Sequence, residues 1–227
     1  MTTQPTTHAA VLPLFSPAAQ QPTKRYRCIV VDPPWQFDQA WATNGKPFLF
    51  YGVEGVEPPK RRAPSTIKPR GAVANYRVLP LEEIAALPIG SWAETEGAHI
   101  YIWTTNSFMV EAHDLMKAWG FRQKTILTWV KPKLGMGTYY RNNTEHVLFG
   151  VRPKSPVLRK DVRTAFVAPQ RRHSEKPDTF YDIVESMSPG PYLDVFARKQ
   201  RMGWDSWGDE AYDFQTHGYW HDKVEQL

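Results

Sequence analysis

Five short, mostly apolar runs punctuate this chain, at Cys28–Val31 and at residues 98–103, 125–130, 145–151 and 192–197. Four to seven apolar residues with little polar alternation are buried on both faces, which is how strands inside a parallel sheet read. Helical segments lie between them. Residues 81–87 follow Pro80 and carry Glu82 and Glu83 in the first turn, both helix-start signals. Residues 107–119 place Phe108, Ala112, Leu115, Met116 and Trp119 on one face and stop at Gly120. Residues 177–187 carry Asp178 in the first turn and close at Ser188-Pro189-Gly190. Strands alternating with helices predict an α/β sheet with helices on both faces.

The 227 residues suffice for one sizeable core. Residues 1–23 mix Thr, Gln, Ala and Pro without period and read as a disordered tail, leaving residues 24–227 as a single domain. Residues 36–75 form a second irregular stretch with five prolines and the cluster Lys60-Arg61-Arg62; loops this long in a compact domain are functional or disordered. A single cysteine, Cys28, excludes an internal disulfide framework and a cysteine-based zinc site, so no metal is expected. The start lacks a signal peptide, and no run approaches the roughly 18–20 apolar residues of a membrane helix. A cytoplasmic protein away from membranes is the expectation. The net charge of +5 permits a polyanionic partner.

The tetrapeptide Asp32-Pro33-Pro34-Trp35 ends the first strand. In an open parallel sheet, ligands bind beyond the carboxyl ends of the strands. This composition suits one task in particular. An exocyclic amine on a heterocycle is a poor nucleophile because its lone pair is delocalised into the ring. Two acceptors aimed at its N–H groups, the Asp32 carboxylate and the Pro33 carbonyl, localise that pair. Proline makes the turn rigid and removes a competing N–H, and Trp35 offers a face for a flat base. A sulfonium methyl group is one electrophile that would match such an amine, and it needs no proton donor.

At this point the sequence resembles the MT-A70 family of adenine-N6 methyltransferases, from Tyr26 to Glu210. The resemblance rests on Asp32-Pro33-Pro34-Trp35, Tyr76 with Leu79 and Glu82-Glu83-Ile84, Ile100-Tyr101-Ile102-Trp103, Ala118-Trp119-Gly120-Phe121 and Trp129-Val130-Lys131. It continues through Gly135-x-Gly137-x-Tyr139-x-Arg141, Glu145-His146, His173-Ser174-x-Lys176-Pro177-Asp178, Leu193-Asp194-Val195-Phe196-Ala197-Arg198 and Gly203-Trp204-x-x-Trp207-Gly208. It implies a Rossmann-like methyltransferase sheet that uses S-adenosyl-L-methionine, with the motif order permuted so that the catalytic half precedes the cofactor half.

The resemblance assigns roles by position. Asp32 holds the target amine and the cofactor's amino group, while Trp35 and Tyr76 line the adenine pocket and Glu145 orients the base. Lys176 pairs with the cofactor carboxylate on a loop shaped by His173 and Ser174, and Arg198, Asp209 and Glu210 meet its ribose and adenosine end. Two departures stand out: Asp194 replaces the usual Glu, and Gly208-Asp209 replaces Gly-Asn. Lys60, Arg61, Arg62, Arg171 and Arg172 are candidate nucleic-acid contacts, and a duplex adenine must be extruded before its N6 reaches a pocket. The expected activity is methylation of adenine N6 in nucleic acid, DNA before RNA, in a bacterial or phage setting. A catalytically silent nucleic-acid-binding paralogue and a cytosine-N4 enzyme are the rivals. Leu12 to Phe15 resembles a short peptide that docks on a sliding clamp.

Overall fold

The computed structural model describes residues 24–35, 79–135, 140–153, 155–170 and 175–208. The tail, Leu12–Phe15, Lys60, Arg61, Arg62, Tyr76, Arg171, Arg172, His173, Ser174, Asp209 and Glu210 lie outside them. Seven strands form one sheet: β1 (Cys28–Val31), β2 (His99–Thr104), β3 (Arg122–Val130), β4 (Thr144–Val151), β5 (Ala165–Val167), β6 (Tyr192–Val195) and β7 (Trp204–Trp207). Their spatial order is β5-β3-β4-β2-β1-β6-β7. β4 runs antiparallel to both neighbours and every other pairing is parallel, so the sheet is mixed where the sequence suggested parallel strands throughout. β3 and β4 are consecutive strands paired antiparallel, which needs no helical crossover of the kind a parallel neighbour requires.

Among the described residues four helices cover the sheet: α1 (Leu81–Ala85), α2 (Ile89–Trp92), α3 (Met109–Ala118) and α4 (Asp178–Met187). Alternation along the strands sorts the core into two layers. Ile29, Val31, Ile100, Ile102, Leu193 and Val195 face α1–α3, packing with Ile84, Leu115 and Met116. Cys28, Val30, Tyr101, Trp103 and Val147 face α4, packing with Phe180, Tyr181 and Val184. Every residue of β1 and β2 is buried, as expected of central strands covered on both sides. The expected helices and strands are all present, with shifted ends; β5, β7 and α2 are additional.

α3 shows how local chemistry sets the boundaries. A 3-10 turn (Asn106–Phe108) leads into it. At its end Gly120 takes φ +80°, Gly120 N–H donates to Lys117 O and Phe121 N–H donates to Met116 O, the paired bonds of a Schellman cap. Phe121 and Met116 are both buried, sealing the turn. No helix among the described residues is long and apolar enough to cross a membrane.

Candidate active site

The chain leaves β1 with one neighbour, β2, that follows it and another, β6, that arrives much later, so the strand order reverses between β1 and β6. A crevice beyond the carboxyl ends of the strands at such a reversal is the standard ligand position of open α/β sheets. Asp32 and Phe196 are the first residues past those two ends. Asp32 N–H donates to Val195 O at 3.2 Å, tying the motif to β6. Trp35 N–H donates to Pro33 O at 2.8 Å, closing a three-residue turn around Pro34, and Leu79 N–H donates to Pro34 O at 3.2 Å. One lone pair of the Pro33 carbonyl is therefore used within the motif, leaving the other for a ligand.

Four expected site residues converge. Lys176 Nζ lies 3.0 Å from Asp32 Oδ1 and 3.5 Å from Glu145 Oε2, with the ring centroid of Trp103 5.0 Å away. Arg198 Nε is 4.0 Å from Asp32 Oδ2. Glu145 reaches this edge because β4 is antiparallel, which brings its amino end beside the carboxyl ends of its neighbours. Lys131, at the end of β3, closes on Glu145 from the other side in a short ion pair. The result is a row of three cations with two carboxylates between them.

Its electrostatics follow from burial and alternation of charge. Burial alone disfavours ionised Glu145, but Lys176 and Lys131 outweigh it and hold its carboxyl below the usual range. Burial likewise works against a charged Lys176, and Asp32 and Glu145 outweigh that, raising its pKa. Asp194 behaves differently. It is 3% exposed on β6, and burial pushes its carboxyl up to about 7, opposed by a 2.8 Å hydrogen bond from Tyr181 Oη and helped by the negative charge of Asp32. Its Oδ1 has no hydrogen-bond partner among the described residues. Asp32, Lys176, Asp194, Phe196, Arg198 and Arg201 wall a common cleft. Phe196 holds φ 65°, a left-handed conformation costing a non-glycine residue about 1–3 kcal/mol. Its N–H donates to Trp207 O at 2.6 Å, so β7 sustains that turn.

Trp35 requires a correction. Its indole is 6% exposed, stacks on Phe108 at 5.0 Å and 9°, and donates Nε1–H to Trp103 O at 3.1 Å. This ring belongs to the core and anchors the turn; it offers no free face to a base. Lys131, the Tyr181–Asp194 pair and the strained Phe196 were not assigned from sequence. Lys131 and Phe196 sit inside recognised motifs, whereas nothing in the spacing of Tyr181 and Asp194 announces their contact.

A cleft walled by carboxylates and by cations, with an orphaned buried oxygen, suits a ligand bearing both an ammonium and a carboxylate, such as an amino-acid tail. Among known proteins, the family model MT-A70 matches residues 51–210. Type II methyltransferase M.MunI of Mycoplasma sp is 31% identical over 207 residues, covering 89% of this chain and 85% of that protein. N6-methyladenosine RNA methyltransferase MTA1 of Cryphonectria parasitica is 28% identical, covering 89% of this chain and 56% of that protein. N(6)-adenine-specific methyltransferase METTL4 of Homo sapiens is 24% identical, covering 89% of this chain and 42% of that protein.

Proposed function

The chain belongs to the MT-A70 family and is an adenine methyltransferase, and we propose that it moves a methyl group from S-adenosyl-L-methionine to N6 of an adenine in DNA. The observation that carries this reading is the position of Asp32: at the carboxyl end of β1, beside the strand-order reversal, with the Pro33 carbonyl adjacent and Lys176 at 3.0 Å. Bound in this cleft, the donor supplies an electrophilic methyl on a sulfonium. Asp32 accepts a hydrogen bond from the N6 amine, favouring the pyramidal nitrogen whose lone pair attacks the methyl carbon. Positive charge growing on that nitrogen during methylation would strengthen the contact with Asp32, so Asp32 would act on the transition state more than on the bound substrate. The carboxylate takes the released proton. Lys176 carries three N–H donors; Asp32 and Glu145 engage two, leaving one for the donor's carboxylate.

DNA is favoured over RNA because the Type II methyltransferase is matched over most of both lengths, against 56% of the RNA enzyme. On this reading residues 24–227 act as one cytoplasmic methyltransferase domain. The cations Lys60, Arg61, Arg62, Arg171 and Arg172 approach the substrate backbone, and Leu12–Phe15 docks on a sliding clamp.

The test is single-turnover methyl transfer with labelled donor to DNA and RNA oligonucleotides, with the product digested to nucleosides. Wild type should yield N6-methyladenine, preferentially in DNA. Asp32→Asn, at saturating donor, should lose on the order of 10²–10³-fold in rate while remaining folded. A folded variant with near wild-type turnover, or N4-methylcytosine as product, defeats the assignment.

A further inference from the structure

We propose that Asp194 answers the positive charge that a bound methyl donor brings into the cleft, releasing its own proton to solvent as that ligand enters. This rests on the methyl-donor reading of the site. Asp194 lies on β6, 3% exposed, and its side chain helps to wall the cleft. Oδ2 accepts from Tyr181 Oη at 2.8 Å, while Oδ1 is buried with no hydrogen-bond partner among the described residues. A buried carboxyl oxygen left without a partner is a standing cost, which a ligand bearing a donor or a cation removes.

Its company sets Asp194 apart from the carboxyls around it. Asp32 faces Lys176 at 3.0 Å and Arg198 at 4.0 Å, Glu145 faces Lys176 and Lys131, and Asp178 holds Arg201 at 2.6 Å. Among the described residues no cation comes within ion-pair distance of Asp194. The two cations whose fields reach it are engaged elsewhere: Arg201 lies 3.8 Å over the Tyr181 ring and pairs with Asp178, and Lys176 pairs with Asp32. Burial favours the protonated carboxyl, the Tyr181 bond opposes it, Asp32 favours it, and Arg201 and Lys176 oppose it. Its other titratable neighbours, the Tyr181 phenol on α4 and the Cys28 thiol on β1, are kept neutral by burial. A cation supplied by a ligand therefore gives the carboxylate the counter-ion that no side chain provides. By reciprocity, such a ligand binds more tightly where the carboxyl is already ionised. The donor has two sources of that charge: a sulfonium, which its product lacks, and an ammonium, which both share.

Calorimetry of S-adenosyl-L-methionine and of S-adenosyl-L-homocysteine, each run in two buffers of different ionisation enthalpy, counts the protons released on binding. Near pH 6.5 the wild type should release roughly three quarters of a proton with the donor, and donor affinity should rise about five- to tenfold from about pH 6 to about pH 7.5. Asp194→Asn keeps an acceptor for Tyr181 and should lose both the release and the rise. Tyr181→Phe, which removes the bond opposing protonation, should move the rise to higher pH. Release with both ligands assigns the contact to the ammonium, and release with the donor alone assigns it to the sulfonium. No release by wild type, or equal release by Asp194→Asn, overturns the proposal and leaves the methyl-transfer reading standing. A wild type that binds neither ligand overturns both.

Discussion

Lys176 is the residue on which the two halves of the cleft depend, because its ammonium stands between Asp32 and Glu145. Lys176→Ala removes the cation shared by those two carboxylates, leaving Glu145 to Lys131 and Asp32 to Arg198, and removes the charge partner for a donor carboxylate. A charge-assisted contact of about 1.5–3 kcal/mol corresponds to a ten- to hundredfold rise in the donor dissociation constant, measurable by calorimetry; unaltered binding would show that the lysine serves Asp32 alone. Asp194 makes a prediction of opposite character. Its folded carboxyl, lifted to about 7 by burial, keeps its proton where an unfolded aspartate, near 3.9, has lost it. The folded state then binds more protons between those values, so its contribution to stability is present at low pH and lost as pH rises toward 7. Asp194→Asn, which retains an acceptor for Tyr181 but cannot ionise, should gain stability relative to wild type between about pH 4.5 and pH 7.5 in denaturant unfolding. A constant gap would mean that Asp194 does not titrate in that window. At this scale the sequence exposed what chemistry needs and concealed what packing decides. Asp32, Lys176, Glu145 and Arg198 were singled out because the number and order of the motifs that carry them form a pattern, and the fold brings these four together. The burial of Trp35 against Phe108 and the grip of Tyr181 on Asp194 arise from side chains that meet only after the sheet has formed.

Elements are tied together at the opposite end of the sheet by a buried polar chain. His99 Nε2 lies 3.0 Å from Ser155 O, an acceptor only, so Nε2 carries the proton and Nδ1 accepts from Ser188 Oγ at 2.7 Å. Ser188 Oγ in turn accepts from Tyr101 Oη at 2.8 Å. β2, the end of α4 and the segment after β4 are thereby joined without an unsatisfied atom in the chain of bonds. Burial holds the His99 pKa below its usual value, with the Ser155 bond opposing and Arg27 assisting. Folded His99 stays neutral where the unfolded ring, near 6.5, gains a proton, so stability is present above pH 6.5 and is lost as pH falls below it. In His99→Gln that acid limb should flatten, with a loss of about 1–3 kcal/mol at pH 8 from the broken chain; parallel stability-versus-pH curves for the two proteins would refute it. The elements that escaped sequence reading are short or atypical. β5 has three residues with Phe166 alone buried, β7 reads Trp-Asp-Ser-Trp with polar residues at its centre, and α2 is a single turn. None offers enough period to separate strand, helix and loop.

The whole molecule gathers Asp32, Lys176, Glu145 and Arg198 at one edge of the sheet, and the strand-order reversal lies at that edge. The fold class was legible because five apolar runs and three helical segments recur in alternation; the direction of β4 was not, since a buried run carries no sign of orientation. The same reversal has a bearing on how the chain is made. β1 emerges early, pairs with β2 soon after, and waits for β6 on its other side. At roughly 5–20 residues per second, the about 160 residues separating Cys28 from Tyr192 take on the order of ten seconds or more to synthesise. Throughout that interval a fully apolar strand, Cys28-Ile29-Val30-Val31, has an open edge, the arrangement most prone to pairing with a second nascent chain. Because Asp32 N–H is fixed by Val195, the turn that follows β1 too is completed only when β6 arrives, so a chain cut short before residue 195 has neither a covered β1 edge nor a fixed Asp32.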